Sequence, residues 1–106
     1  MKTNNDVFEQ ILLIDKTIHE PARLFIMSIL YNTEEVDFLF LLNETQLSKG
    51  NIATHTKKLE EEGYLTVKKE FVGKKTHSTY AITEKGKKAL EAYTAAMKQM
   101  LDEMTP

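Results

Sequence analysis

The chain predicts a mainly helical α+β domain in which a short helix, a tight turn, a second helix and a basic β-hairpin follow one another between residues 45 and 88. Three observations carry that reading. Between Ser48 and Gly63 the residues Ile52, Thr56 and Leu59 recur at spacings of four and three, which is one face of a helix. From Tyr64 the period changes to two, with Tyr64, Thr66, Lys68 and Glu70 alternating against Leu65, Val67, Lys69 and Phe71. The third observation is charge. Residues 45–88 hold ten lysines and five acids, a net of +5, whereas the 106-residue chain as a whole is at −2 and the remainder at −7. Lysines gathered in this way suit a polyanion, and the acidic remainder disfavours a generic one.

The elements follow in order. Asn4 and Asn5 are expected to cap a short helix whose Val7, Phe8, Ile11 and Leu12 form one apolar stripe. A second helix opens near Glu20, because Pro21 is pre-organised for the first helical position and its missing N–H costs nothing there. Its apolar residues, Leu24 to Met27 and Ile29 to Tyr31, nearly encircle it and predict a central post buried on most sides. Asn32-Thr33-Glu34-Glu35 is turn-like, Val36-Asp37 pairs briefly as a strand, and Asp37 caps a helix from Phe38 to about Asn43. Ser48 is the expected N-cap of the next helix and Gly63 its left-handed C′ residue. Val72-Gly73-Lys74-Lys75 is a short reversal, and Thr76 to Ile82 is rich in β-formers, which completes the hairpin. Thr83 then caps a helix running to about Glu103.

That last helix spans roughly 20 residues, or about 30 Å. A domain of this size would hardly cover its far end from within. The terminal helices are therefore expected to pack on each other and to form a homodimer interface. The N-terminal helix would supply Phe8, Ile11 and Leu12 to it. The C-terminal helix would supply Leu90, Tyr93, Met97, Met100 and Leu101, its methionines suiting an adaptable contact.

Composition narrows the function. The chain is long enough for one domain with a modest core. It has no cysteine, which excludes disulfides, thiolate metal sites and thiol redox sensing for this chain. The longest apolar runs, Ile11–Ile14 and Phe38–Leu42, are too short to span a bilayer. No cationic segment leads into an apolar one at the N-terminus, so the expected location is cytoplasmic, with no membrane partner. An enzyme is not expected, since the histidines at 19, 55 and 77 lie in different elements and no nucleophile–base constellation can be placed. Asp15 and His19 stand four residues apart, but Pro21 argues against a helix through them and two ligands do not make a metal site. No cofactor is called for.

The residue types in the second helix suit base reading. In a major groove, Asn51 can pair with adenine N6 and N7, Lys49 with guanine, and the Thr54 methyl can contact thymine. His55 and Lys58 share that polar side, with His55 open to a base or phosphate contact or to a place in the core. Ser48 and the helix N-terminus can hold a phosphate. Lys74, Lys75 and His77 on the hairpin would reach the backbone or the adjacent minor groove. Arg23 either meets phosphate or pairs with the Glu60–Glu62 run.

Six phrases in register add a resemblance. His19-Glu20-Pro21-Ala22-Arg23-Leu24, Asp37-Phe38-Leu39, Gly50-Asn51-Ile52-Ala53-Thr54-His55, Lys58-Leu59-Glu60-Glu61-Glu62-Gly63-Tyr64, Phe71-Val72-Gly73-Lys74 and Ile82-Thr83-Glu84-Lys85-Gly86 resemble the winged helix-turn-helix regulators, in the wider group that includes the MarR and ArsR families. The likeness covers residues 19 to about 100. Two positions depart from the group's usual pattern: Ala53-Thr54 stands where Ser or Thr followed by Arg or Gln is common, and Thr56 where a larger aliphatic residue is usual.

The resemblance implies a single winged-helix domain over residues 1–106, with an N-terminal helix or arm at 1–18, a core at 19–83 and a C-terminal helix at 84–106. It also implies a homodimeric, sequence-specific regulator whose partners are double-stranded DNA and a second copy of itself. The rival is a winged helix used for protein contact without specific DNA binding. No small-molecule effector is identified by the sequence.

Overall fold

A computed structural model of the protein describes residues 4–105, with side chains from Asp6 onward. The elements run α1 (Asn4–Leu12), α2 (Pro21–Tyr31), β1 (Val36–Asp37), α3 (Phe38–Thr45), α4 (Lys49–Glu61), β2 (Leu65–Val72), β3 (Lys75–Ile82) and α5 (Glu84–Met104). The three strands form one antiparallel sheet in the order β1-β3-β2. Val36 lies opposite Tyr80, and β2 pairs with β3 from Leu65↔Ile82 to Val72↔Lys75. This is the expected helix–turn–helix and hairpin, set between two terminal helices.

Local chemistry fixes most boundaries. Glu20 caps α2 with both carboxylate oxygens, accepting from the Ala22 amide at 2.8 Å and the Arg23 amide at 3.1 Å. Asp37 and Thr83 likewise accept from the amides of Phe40 and Gly86, at 2.8 and 2.9 Å. At the end of α4, Gly63 adopts φ +78°, the left-handed conformation that glycine enters without steric penalty. Its N–H bonds to the Glu60 carbonyl and that of Tyr64 to the Leu59 carbonyl, the paired 5→2 and 6→1 bonds of a Schellman ending. α1, by contrast, begins at Asn4, so Asn4 and Asn5 lie within the helix and its cap position falls outside the described residues.

The core sits between α2, α3, α4 and the inner face of the sheet. Ile18, Ile26, Met27, Leu30, Leu41, Ile52 and Leu59 are completely buried there. Each such side chain contributes roughly 1.5–3 kcal/mol by leaving water, so these seven outweigh any surface ion pair. Two expectations change. α2 is buried on most sides but not nearly encircled, for Phe25 and Tyr31 remain 45% and 39% exposed. The segment after α1 lies along α5, so that Ile14 is buried near Tyr93 and Met100 while Leu13 is left 85% exposed.

The molecule is long, with extents of 61 × 25 × 21 Å. Its Cα radius of gyration, 16.2 Å, exceeds the roughly 13 Å of a compact domain of this length. The excess is the overhang of α5 and of the hairpin. No helix among the described residues is long and apolar enough to cross a membrane.

Candidate nucleic-acid interface

The turn between α3 and α4 aims the second helix. Gln46 closes α3 in the left-handed conformation, φ 58°, and its side-chain amide donates to the Asn43 carbonyl at 2.6 Å. Thr45 stitches the other side, its hydroxyl donating to the Leu41 carbonyl at 2.7 Å and accepting from the Leu47 amide at 3.2 Å. Ser48 then opens α4 by accepting from the Asn51 amide at 3.1 Å. The Lys49 and Gly50 amides, in the first turn, have no intrahelical acceptor. The left-handed Gln46 carried no signal in the sequence, since glycine or asparagine is the usual residue there.

Over its 13 residues α4 presents one buried stripe, Ile52, Thr56 and Leu59. Thr56 fits that stripe because its hydroxyl donates to the Ile52 carbonyl at 2.7 Å, which satisfies its polar atom inside the core. Lys49, Asn51, Thr54 and Lys58 are all exposed. The Thr54 hydroxyl donates to the Gly50 carbonyl at 2.9 Å, so its methyl group is the part free of internal bonding. On the hairpin, Lys74 and Lys75 are exposed at the turn.

Two expected contact residues also have partners within the chain. His55 is half-buried, its Nδ1 lying 3.2 Å from Glu20 Oε2 and 3.3 Å from Arg23 Nη1. Arg23 in turn donates from Nε to the Thr17 carbonyl at 2.5 Å and stands 3.8 Å from Glu20. The expected pairing of Arg23 with Glu60–Glu62 is thus replaced by one with Glu20, because the cap of α2 is the nearer carboxylate. Burial pushes the Glu20 carboxyl up, but the two amide bonds and the charges of His55 and Arg23 outweigh it and hold the carboxyl below its ordinary value. His77 Nε2 sits 3.5 Å from Asp37 Oδ2, at the cap of α3 rather than at the hairpin tip. The Phe40 amide and, after it, His77 hold the Asp37 carboxyl low.

The expected dimer residues also divide. Phe8, Ile11, Leu12 and Leu101 are exposed, and Met97 is half-buried. Leu90, Tyr93 and Met100 are 7%, 8% and 4% exposed within the single chain, so they pack its own core and are not surface groups as the sequence suggested. Tyr93 also has a partner within the chain: His19 Nδ1 lies 2.8 Å from its hydroxyl. Asp15, the other half of the spacing considered for a metal, bonds the Tyr64 hydroxyl and caps the Thr17 and Ile18 amides. Among the described residues no group of three acids or histidines could hold a metal ion.

A family model described as a winged helix DNA-binding domain matches residues 22–101 of this chain. An uncharacterized protein of Methanocaldococcus jannaschii is 32% identical over 85 residues, which cover 80% of this chain and 92% of that one. Among solved structures, the transcriptional regulator homologue protein of Pyrococcus horikoshii superposes with a TM-score of 0.83 at 21% identity, over 95% of this chain and 99% of the other. The transcriptional regulator HlyU of Vibrio vulnificus superposes at 0.61 with 24% identity, over 87% and 88% of the two chains.

Proposed function

The chain belongs to the winged helix DNA-binding domain family, and on that premise we propose that it is a cytoplasmic, sequence-specific transcriptional regulator and not an enzyme. It acts as a homodimer on double-stranded DNA, with α4 in the major groove and the hairpin on the backbone or minor groove. The observation that carries this reading is the exposed face of α4. Its Lys49, Asn51, Thr54 and Lys58 are open to solvent while Ile52, Thr56 and Leu59 are buried, on a helix that follows a hydrogen-bonded turn. A helix fits the major groove, where each base pair shows a distinct pattern of donors and acceptors. Asn51 is the base reader and Lys49 its neighbour; Thr54 supplies a methyl contact. Ser48 places the first-turn amides toward a phosphate, and Lys58, Lys74 and Lys75 add sequence-independent attraction.

The second copy covers the exposed apolar groups of the terminal helices, Phe8, Ile11 and Leu12 of α1 and Leu101 of α5, with Met97 at the edge. Twofold pairing of this kind sets two α4 helices roughly 34 Å apart, one turn of DNA.

The test is selection of random duplexes by the purified protein at about 50 and 200 mM salt, with sequencing of the bound fraction. An enriched inverted repeat with half-sites one turn apart is the expected outcome. Retention without a motif removes the sequence specificity, and no retention at either salt leaves protein contact as the better reading. Sedimentation of the free protein checks the dimer, which Leu12→Glu should convert to monomer.

A further inference from the structure

The apolar pattern of β2 runs past the end of the core. Leu65 and Val67 share a sheet face with their partners Ile82 and Tyr80, and that face is buried or half-buried. The same face continues through Lys69 and Ser78 to Phe71 and Thr76, all beyond the reach of the core except the half-buried Ser78. Phe71 is 81% exposed there, and Val72 beside it on the opposite face is 65% exposed. An aromatic ring left this open at the end of a projecting hairpin gains little from burial among the described residues.

Its surroundings name the occupant. The hairpin carries Lys68, Lys69, Lys74 and Lys75 against the single acid Glu70, which lies 3.8 Å from Lys68. The partner must therefore be strongly anionic and must also offer apolar surface within a side chain's length of its charges. Duplex DNA meets both conditions in the minor groove, between two rows of phosphate, where sugar faces and base steps lie at the floor. A second copy paired hairpin to hairpin meets them poorly, because it would bring the same lysines together.

Resting on the DNA-binding reading above, we propose that Phe71 is an apolar wedge, with Val72 beside it, which the hairpin presses into the minor groove next to the site read by α4, unstacking a base step. The lysines at the turn hold the flanking phosphates while the ring takes the place of stacking. The wing is then a deforming element, and part of the site preference comes from how easily the flanking step opens.

The experiment uses the full chain and a duplex recovered by selection, with 2-aminopurine placed in turn at the steps flanking the α4 half-site. Binding of the parent should raise the probe's fluorescence at one step. Phe71→Ala should lose that signal and about tenfold in affinity, on the order of one aromatic–base contact, with an unchanged melting midpoint and an unchanged oligomeric state. Phe71→Leu should keep most of both. Phe71→Lys discriminates further: an electrostatic wing binds tighter with the added charge, whereas a wedge binds more weakly and goes dark at the probe. If the parent binds its duplex and Phe71→Ala matches it in affinity and fluorescence, the wedge is overturned and the DNA-binding reading stands. The wedge is equally overturned if Phe71→Ala dissociates the dimer. If the parent retains no duplex at low salt, both readings fall together.

Discussion

At its base the β-hairpin is clamped, and at its tip its apolar side chains are open to solvent. The Thr83 amide donates to the Tyr64 carbonyl at 3.0 Å and the Thr83 hydroxyl to the Gly63 carbonyl at 2.6 Å, tying the end of α4 to the start of α5. The Tyr64 hydroxyl bonds Asp15, and the Lys85 ammonium lies 5.7 Å from the centre of the Tyr64 ring. At the other end, Phe71 and Val72 are open to water, and a Cβ at Gly73 would meet no atom within 4 Å beyond its chain neighbours among the described residues. The difference separates two roles within one pair of strands. The base joins α4 to α5, and the tip is open to solvent and, on the proposed reading, to DNA. Substitutions should therefore cost stability at the base and binding at the tip.

The largest effect is expected at Gly86. A Cβ there would stand 2.1 Å from the Tyr64 carbonyl oxygen and 2.9 Å from Ile82, and the first contact is with backbone that cannot swing aside. Gly86→Ala should cost about 3 kcal/mol or more, a fall of roughly 10–20 °C in melting midpoint. A midpoint within about 2 °C of the parent would mean that the base is looser than described, and the contrast with the tip would collapse.

Tyr64→Phe comes next. It removes the bond to Asp15 while keeping the ring, at about 1–3 kcal/mol. Burial and then that bond push the Tyr64 phenol far above its ordinary value. The folded state therefore holds this proton more tightly than the unfolded one. The associated stability is complete below the unfolded value of 10.0 and is lost as pH rises beyond it. Melts from pH 8 to 11 should show the parent losing its advantage over the variant in the upper part of that range. A gap that stays constant with pH would remove Tyr64 from the clamp.

Glu20→Gln probes the join between α2 and α4. A glutamine has one acceptor oxygen where Glu20 uses two, and it brings no charge to His55 or Arg23, so about 1 kcal/mol should be lost near neutral pH. Here the folded carboxyl lies below its ordinary 4.5. Its contribution is present above 4.5 and disappears as pH falls through the depressed folded value. Urea melts at pH 7 and pH 3 should show the difference between parent and variant shrinking in acid, and a difference that grows there would reverse the assignment.

What the sequence disclosed, and what it hid, follows the same division between near and far. Pro21, Asp37, Ser48, Gly63 and Thr83 were all legible, because each acts on backbone within a few residues of itself. The stripe of Ile52, Thr56 and Leu59 was legible for the same reason. The contacts that changed the site are distant in the chain: Asp15 with Tyr64, His19 with Tyr93, and His55 with Glu20 and Arg23. A histidine on the polar side of α4 reads as a nucleic-acid contact from the sequence, and the carboxylate of another helix beside it carries no signal there. Similarly, Leu90, Tyr93 and Met100 share a stripe with exposed Leu101, and only their burial, beside Ile14 for Tyr93 and Met100, shows which of them the chain keeps for itself.

The smallest effect on stability is expected at Lys74, on the hairpin turn, and it sharpens the comparison most. Lys74→Ala removes an exposed charge from a position where the backbone needs no particular side chain, so the unfolding free energy should hold to within about 0.5 kcal/mol of the parent. Affinity should fall for selected and random duplexes alike, because a phosphate contact carries no sequence information. The slope of log affinity against log salt should become shallower by about one, the release of roughly one counterion fewer. A variant that lost affinity only for the selected duplex would place Lys74 on a base edge. One that lost neither affinity nor slope would leave the turn outside the interface, with binding carried by α4 alone.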